Sequence, residues 1–147
     1  MRFSTVIKAV LDTSVFVAAL ISSKQDSAPV KVLNIWREGH FTLVMSPQLM
    51  RELVVKLRRK GVSAQNVEDL VSVIGAVALH ISGAYEATFL DNIDPDDNMF
   101  LAAAYESKAN YLVSLDKKHL LPLKHYHGTQ IVEPALFIRL LTSVRQH

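Results

Sequence analysis

Short apolar runs alternate with stretches of helical periodicity, and this alternation constrains the fold more than any other feature of the chain. Val6 to Leu11, Phe41 to Met45, Tyr111 to Leu115 and Gln130 to Val132 have strand length, and Val77 to Ile81 reads as a further strand. Between them lie segments that begin and end like helices. Ser27 caps a helix from Ala28 to Glu38 that Gly39 ends, with Val32, Leu33 and Trp36 on one inward face. Ser46-Pro47 pairs a capping hydroxyl with proline at the first helical position, and Leu49, Leu53 and Leu57 follow four apart. Gly61 stops that helix, and Ser63 starts another, where Val67, Leu70, Val71 and Ile74 share a face. Asp94-Pro95 repeats the cap-plus-proline start before an alanine-rich helix to Ser107. Pro134 opens a last helix with Phe137, Leu140, Leu141 and Val144 inward. This order predicts an α/β fold with a largely parallel sheet between helical layers.

The 147 residues fit one domain spanning 1–147, and a 50% apolar content suffices for its core. A formal charge of +2 does not by itself announce a nucleic-acid binder. The absence of cysteine removes disulfides, thiolate metal sites and cysteine nucleophiles. The longest apolar run, Val15 to Ile21, is far short of the ~20 residues of a membrane span. Met1-Arg2-Phe3-Ser4 meets Lys8 and Asp12 too soon for a signal peptide. A soluble cytoplasmic protein, without membrane contact, is the expectation.

Parallel sheets bind ligands beyond the carboxyl ends of their strands. Asp12 and Asp116 both follow apolar strands, so both reach that edge although about a hundred residues separate them. Asp97 lies at a helix start on the same edge. Each acid has an ordinary reading when taken alone. Asp94 is a helix cap, Asp96 and Asp97 suit a helix dipole, Asp12 and Asp116 begin turns, and Glu52 is a solvated helix position. Together they would repel one another strongly unless a cation offset them. Carboxylates are the hard oxygen ligands that Mg²⁺ and Mn²⁺ prefer, and such an ion activates water and stabilises charge at phosphorus. Ser14 and Ser114, two residues from Asp12 and Asp116, are candidates to orient these carboxylates from behind or to bond locally to the backbone. Glu52, at the margin of its helix's apolar stripe, is a fourth candidate acid.

Four segments in order resemble the PIN-domain nucleases, especially the VapC-type toxins of bacterial toxin–antitoxin pairs. They are Val10-Leu11-Asp12-Thr13-Ser14-Val15-Phe16, Leu49-Met50-Arg51-Glu52-Leu53, the run from Asp94-Pro95-Asp96-Asp97-Asn98 to Ala104, and Leu112-Val113-Ser114-Leu115-Asp116. The resemblance covers nearly the whole chain and implies a PIN-like three-layer fold. It implies that Asp12, Glu52, Asp97 and Asp116 ligate Mg²⁺ or Mn²⁺ and carry catalysis, with Asp96 replacing Asp97 if the register slips by one. It matches Ser14 and Ser114 to hydroxyls near the metal. It further implies endoribonuclease activity leaving 5′-phosphate and 3′-hydroxyl ends, a homodimer, and inhibition by a small antitoxin. A free-standing RNA-processing nuclease and a non-catalytic RNA- or protein-binding module are the alternatives.

Other readings fit less well. A haloacid-dehalogenase-like phosphatase needs an aspartate where Ser14 stands, a receiver domain needs an acidic pair after the first strand, and dinucleotide binding needs a glycine fingerprint that is missing. For RNA binding, Lys117, Lys118 and His119 beside Asp116 are the first candidates, then Arg58 and Arg59 in the basic run from Lys56 to Lys60. Tyr126 is a candidate stacking face.

Overall fold

The computed structural model describes residues 6–91 and 94–145, with side chains as far as Ser143. The inward position expected for Val144 lies outside the described side chains. Strand β1 (Lys8–Leu11) leads into helices α1 (Thr13–Ile21) and α2 (Ala28–Arg37), then β2 (Thr42–Met45), α3 (Pro47–Arg59), α4 (Ala64–Val77) and β3 (Leu79–His80). A 3₁₀ turn (Pro95–Asp97) precedes α5 (Asn98–Ser107) and β4 (Tyr111–Val113). A second such turn (Leu121–Leu123), β5 (His125–Tyr126), β6 (Thr129–Val132) and α6 (Pro134–Arg145) complete the order.

The strands form one sheet in the order β3-β2-β1-β4-β6-β5. All neighbours are parallel except β5, which returns antiparallel beside β6. Both β1 to β2 and β2 to β3 step the same way along the sheet, so the right-handed rule for parallel connections places α1 to α4 over one face. The crossover from β3 back to β4 runs the other way and carries α5 over the opposite face, where it touches β1, β2, β4 and β5. Helix α6 packs on α2, which completes three layers. Phe137 of α6 meets Phe41 and Tyr111 edge-on at 5.0 and 5.4 Å.

The capping serines act as the sequence suggests. Ser27, Ser46 and Ser63 each accept a bond from the backbone N–H three residues on, at 3.4, 3.2 and 3.1 Å. Gly39 and Gly61 end their helices at φ +85° and +83°, where a side chain would be strained. Trp36 is buried among the core residues of α2. Lys8 stands at the start of a buried strand because its Nζ reaches the Ser107 carbonyl at the end of α5 (2.5 Å).

Two elements depart from expectation. Val77 belongs to α4, because Ala78 N–H still bonds to the Ile74 carbonyl (2.9 Å), and the strand after it shrinks to Leu79–His80 beside Val44 and Met45. The pair β5 and β6 forms a hairpin through His127 and Gly128, both at positive φ, and its first strand carries too few residues to show a pattern.

The strand order reverses between β1 and β4, which makes their carboxyl ends the topological switch point of the sheet. Asp12 and Ser114 stand at that point.

Candidate active site

Two serines tie the ends of β1 and β4 together. Asp12 N–H bonds to the Val113 carbonyl (2.9 Å), which carries the ladder one residue past β1. Ser114 Oγ, fully buried, donates to Asp12 Oδ2 at 2.6 Å and accepts from Asp116 N–H at 2.9 Å. Ser14 Oγ donates to the same Asp12 oxygen at 3.0 Å and accepts from Leu115 N–H at 3.3 Å. Asp12 Oδ1 accepts from Ser14 N–H at 3.3 Å, so the carboxylate also caps α1. Asp12 is therefore both a cap and the centre of a hydrogen-bonded latch. Burial raises its pKa above the usual carboxylate range, the bonds from Ser114 and Ser14 oppose that, and the charge on Asp116 adds to it.

Asp116 is held by its own turn. Its Oδ1 accepts from the N–H groups of Lys118 and His119, both at 3.0 Å. Burial acts to raise its pKa, but the neighbouring Asp97 carboxyl, these two N–H groups and the His119 ring prevail and hold it below the usual value.

The turn before α5 corrects one expectation. Asp94 does not cap a helix through its side chain, and α5 starts at Asn98, after the 3₁₀ turn. Proline at position 95 fits a tight turn as well as a first helical turn, so the sequence does not separate the two. Asn98 fixes the turn: its Oδ1 accepts from Leu90 N–H (2.9 Å) and its Nδ2 donates to Asp91 Oδ1 (2.7 Å). Asp94 and Asp97 are freed to face the switch point. His119 Nδ1 lies 3.3 Å from Asp94 Oδ2, 3.7 Å from Asp116 Oδ2 and 3.8 Å from Asp97 Oδ2. Asp97 Oδ2 is buried and has no hydrogen-bond partner among the described residues. The Asp97 pKa is pushed up to about 8, first by burial, then by the Asp116 carboxyl beside it and by the charges of Asp94, Asp116 and Asp12.

A cleft of about 490 Å³ joins the carboxylates. Asp12, Glu52, Asp94, Asp96, Asp97 and Asp116 line it, with Ser14, Lys56 and Lys60. Glu52 enters from α3 and pairs with Lys56 at 3.7 Å. Of the two neighbours at the turn, Asp97 is largely buried and Asp96 is exposed at the rim. Lys117, Lys118, Arg58 and Arg59 are exposed and are not among the lining residues. His119 turns into the acids instead of outward. Tyr126, a candidate stacking face, is buried, with its hydroxyl 3.4 Å from that of Tyr85. Sequence reasoning missed Asp94 and His119 as members of the cluster. The spacing of His119, three residues after Asp116 on one tight turn, is the signal that could have found it.

The PIN domain family matches residues 8–118, a span that runs from β1 through the Asp116 turn. The chain belongs to the PIN-domain family. An uncharacterized protein of Methanocaldococcus jannaschii is 31% identical over 123 residues, covering 80% of this chain and 76% of its relative. PIN domains are typically metal-dependent nucleases, and the acidic cluster of this one is compatible with that chemistry. One ligand atom each from Asp94, Asp97 and His119 lies within 4.8 Å of the others. The partnerless oxygen of Asp97 and the hard donor set fit a divalent cation.

Proposed function

We propose that this PIN domain is an Mg²⁺- or Mn²⁺-dependent endoribonuclease that hydrolyses RNA phosphodiester bonds in the acidic cleft. The observation that carries this reading is the convergence of Asp12, Glu52, Asp97 and Asp116 on one cleft, with a buried oxygen of Asp97 that has no hydrogen-bond partner among the described residues. In water, such an oxygen would be solvated; buried beside other carboxylates, it is stable only when protonated or bound to a cation.

Asp12, Asp97, Asp116 and Glu52 would hold the ion, with Asp94 and His119 as further donors beside it. When bound, the ion polarises a phosphoryl oxygen and acidifies water for in-line attack. The chain's own residues supply positioning. Ser14 and Ser114 keep the Asp12 carboxylate in one orientation, and Ser114 links that orientation to the Asp116 backbone. The Asp116 turn keeps Oδ1 engaged and leaves Oδ2 to the cleft. Attack forms a bond from water oxygen to phosphorus and breaks the bond to the 3′ oxygen, leaving 5′-phosphate and 3′-hydroxyl ends.

The resemblance to VapC-type toxins supports RNA as substrate. It also supports a toxin role, in which the chain forms a homodimer and a small antitoxin covers the cleft. Cleavage of single-stranded RNA with Mg²⁺ or Mn²⁺ tests the activity: the wild type cuts, and Asp12→Asn and Asp97→Asn do not. Equal cleavage by both variants would refute the mechanism, and a wild type that binds RNA but never cuts would make it a binding module. Growth arrest on expression of the wild type but not of Asp97→Asn is the result expected of a toxin, whereas unimpaired growth fits a processing nuclease.

A further inference from the structure

Helix α3 carries Glu52, Lys56 and Lys60 four residues apart, with Lys60 at its C-terminal cap. Residues at this spacing share one helical stripe. All three line the cleft that holds the carboxylates, whereas the adjacent Arg58 and Arg59 do not. The stripe therefore begins with an acid at the carboxylate cluster and continues with two cations. Lys56 Nζ sits 3.7 Å from Glu52 Oε1, and Lys60 makes no ion pair among the described residues.

At a rise of 1.5 Å per residue, Lys56 and Lys60 stand about 6 Å apart along the helix axis. That is close to one phosphate-to-phosphate step of a nucleic-acid strand. A polyanion approaching six carboxylates is repelled wherever no cation lies along its path. Lys56 and Lys60 are the basic residues that line this path.

We propose that Lys56 and Lys60 form a two-phosphate rail, binding successive backbone phosphates of single-stranded RNA on one side of the scissile bond and leading the strand along α3 to the carboxylates. This rests on the ribonuclease reading. The rail reads backbone charge and carries no base preference of its own. It gives the cleft a direction, because one side of the cut is gripped by α3.

The test is the salt dependence of steady-state cleavage of a labelled single-stranded RNA with Mn²⁺. Each lost phosphate contact on a single strand lowers the slope of log(1/KM) against log[salt] by about 0.7. Lys60→Gln is the cleanest variant, because it leaves the Glu52 pair intact. It is expected to raise KM roughly threefold to tenfold at moderate salt, with kcat nearly unchanged and the slope shallower by about 0.7. Lys56→Gln combined with Lys60→Gln is expected to flatten the slope by about 1.4. Arg58→Gln with Arg59→Gln should run parallel to the wild type. The rail is overturned if Lys60→Gln keeps the wild-type slope, or if the arginine pair flattens it as much. A wild type that cuts no RNA with any divalent cation removes the ribonuclease reading and the rail with it, an outcome visible before any lysine is changed.

Discussion

The two halves of the acidic cleft solve the same electrostatic problem in different ways. On the strand side, Asp12 is buried but saturated: two serine hydroxyls and one backbone N–H point at it. On the turn side, Asp97 is also largely buried, yet its Oδ2 has no hydrogen-bond partner among the described residues and faces Asp94, Asp116 and the His119 ring. The first half is organised by the protein alone. In the proposed reading, a cation completes the second. A hydrogen-bonded carboxylate holds position whether or not metal is present, while an unsatisfied one creates the demand for metal.

Substitutions on the two sides should therefore have different consequences. The largest effect is expected for Asp97→Asn. Cleavage should fall by more than ~10³, about 4 kcal/mol of transition-state stabilisation, while the metal-free protein becomes more stable above pH about 8 because a repulsive buried charge is gone. Paired rate and thermal-melting measurements check both halves of this statement.

Ser114→Ala should act in the opposite sense on stability. It removes the short bond to buried Asp12 and the acceptor for Asp116 N–H, costing about 1–3 kcal/mol in chemical denaturation. Activity should drop roughly tenfold to a hundredfold through loss of orientation.

The pH dependence follows from the raised pKa of Asp97. A carboxyl whose folded value lies above its unfolded one stabilises the fold fully below the unfolded value near 3.8 and loses that contribution as pH rises through about 8. Metal-free Tm should therefore fall across this window on account of Asp97, and added Mn²⁺ should raise Tm more at its alkaline end than at its acid end. Equal stabilisation by Mn²⁺ at both ends would contradict the assignment. The smallest effect is expected for Ser14→Ala, a fraction of that of Ser114→Ala, because Ser14 is more exposed and its bonds are longer.

The strand half of the cleft was legible in the sequence. Apolar runs that end in aspartate define a sheet edge, and a serine two residues after Asp12 or two before Asp116 can reach across it. The turn half was not. Asp94-Pro95 has the same residue signature whether Asp94 caps a helix or faces a cleft, and only the contacts of Asn98 with the preceding segment decide between them. The basic run on α3 was visible, but the face of it that lines the cleft was not. Once Glu52 faces the carboxylates, helical phase selects Lys56 and Lys60 over Arg58 and Arg59. The β5–β6 hairpin was missed because a two-residue strand carries no periodicity, and Tyr126 within it is consumed by packing.

In the proposed mechanism, the carboxylates facing Asp97 form a cation site that the chain needs for hydrolysis. Calorimetric titration of the metal-free protein with Mn²⁺ at pH about 8, close to the raised Asp97 pKa, checks this. Saturable binding with proton release is expected of the wild type, and loss of both in Asp97→Asn. Binding of equal strength and equal proton release in the variant would contradict it.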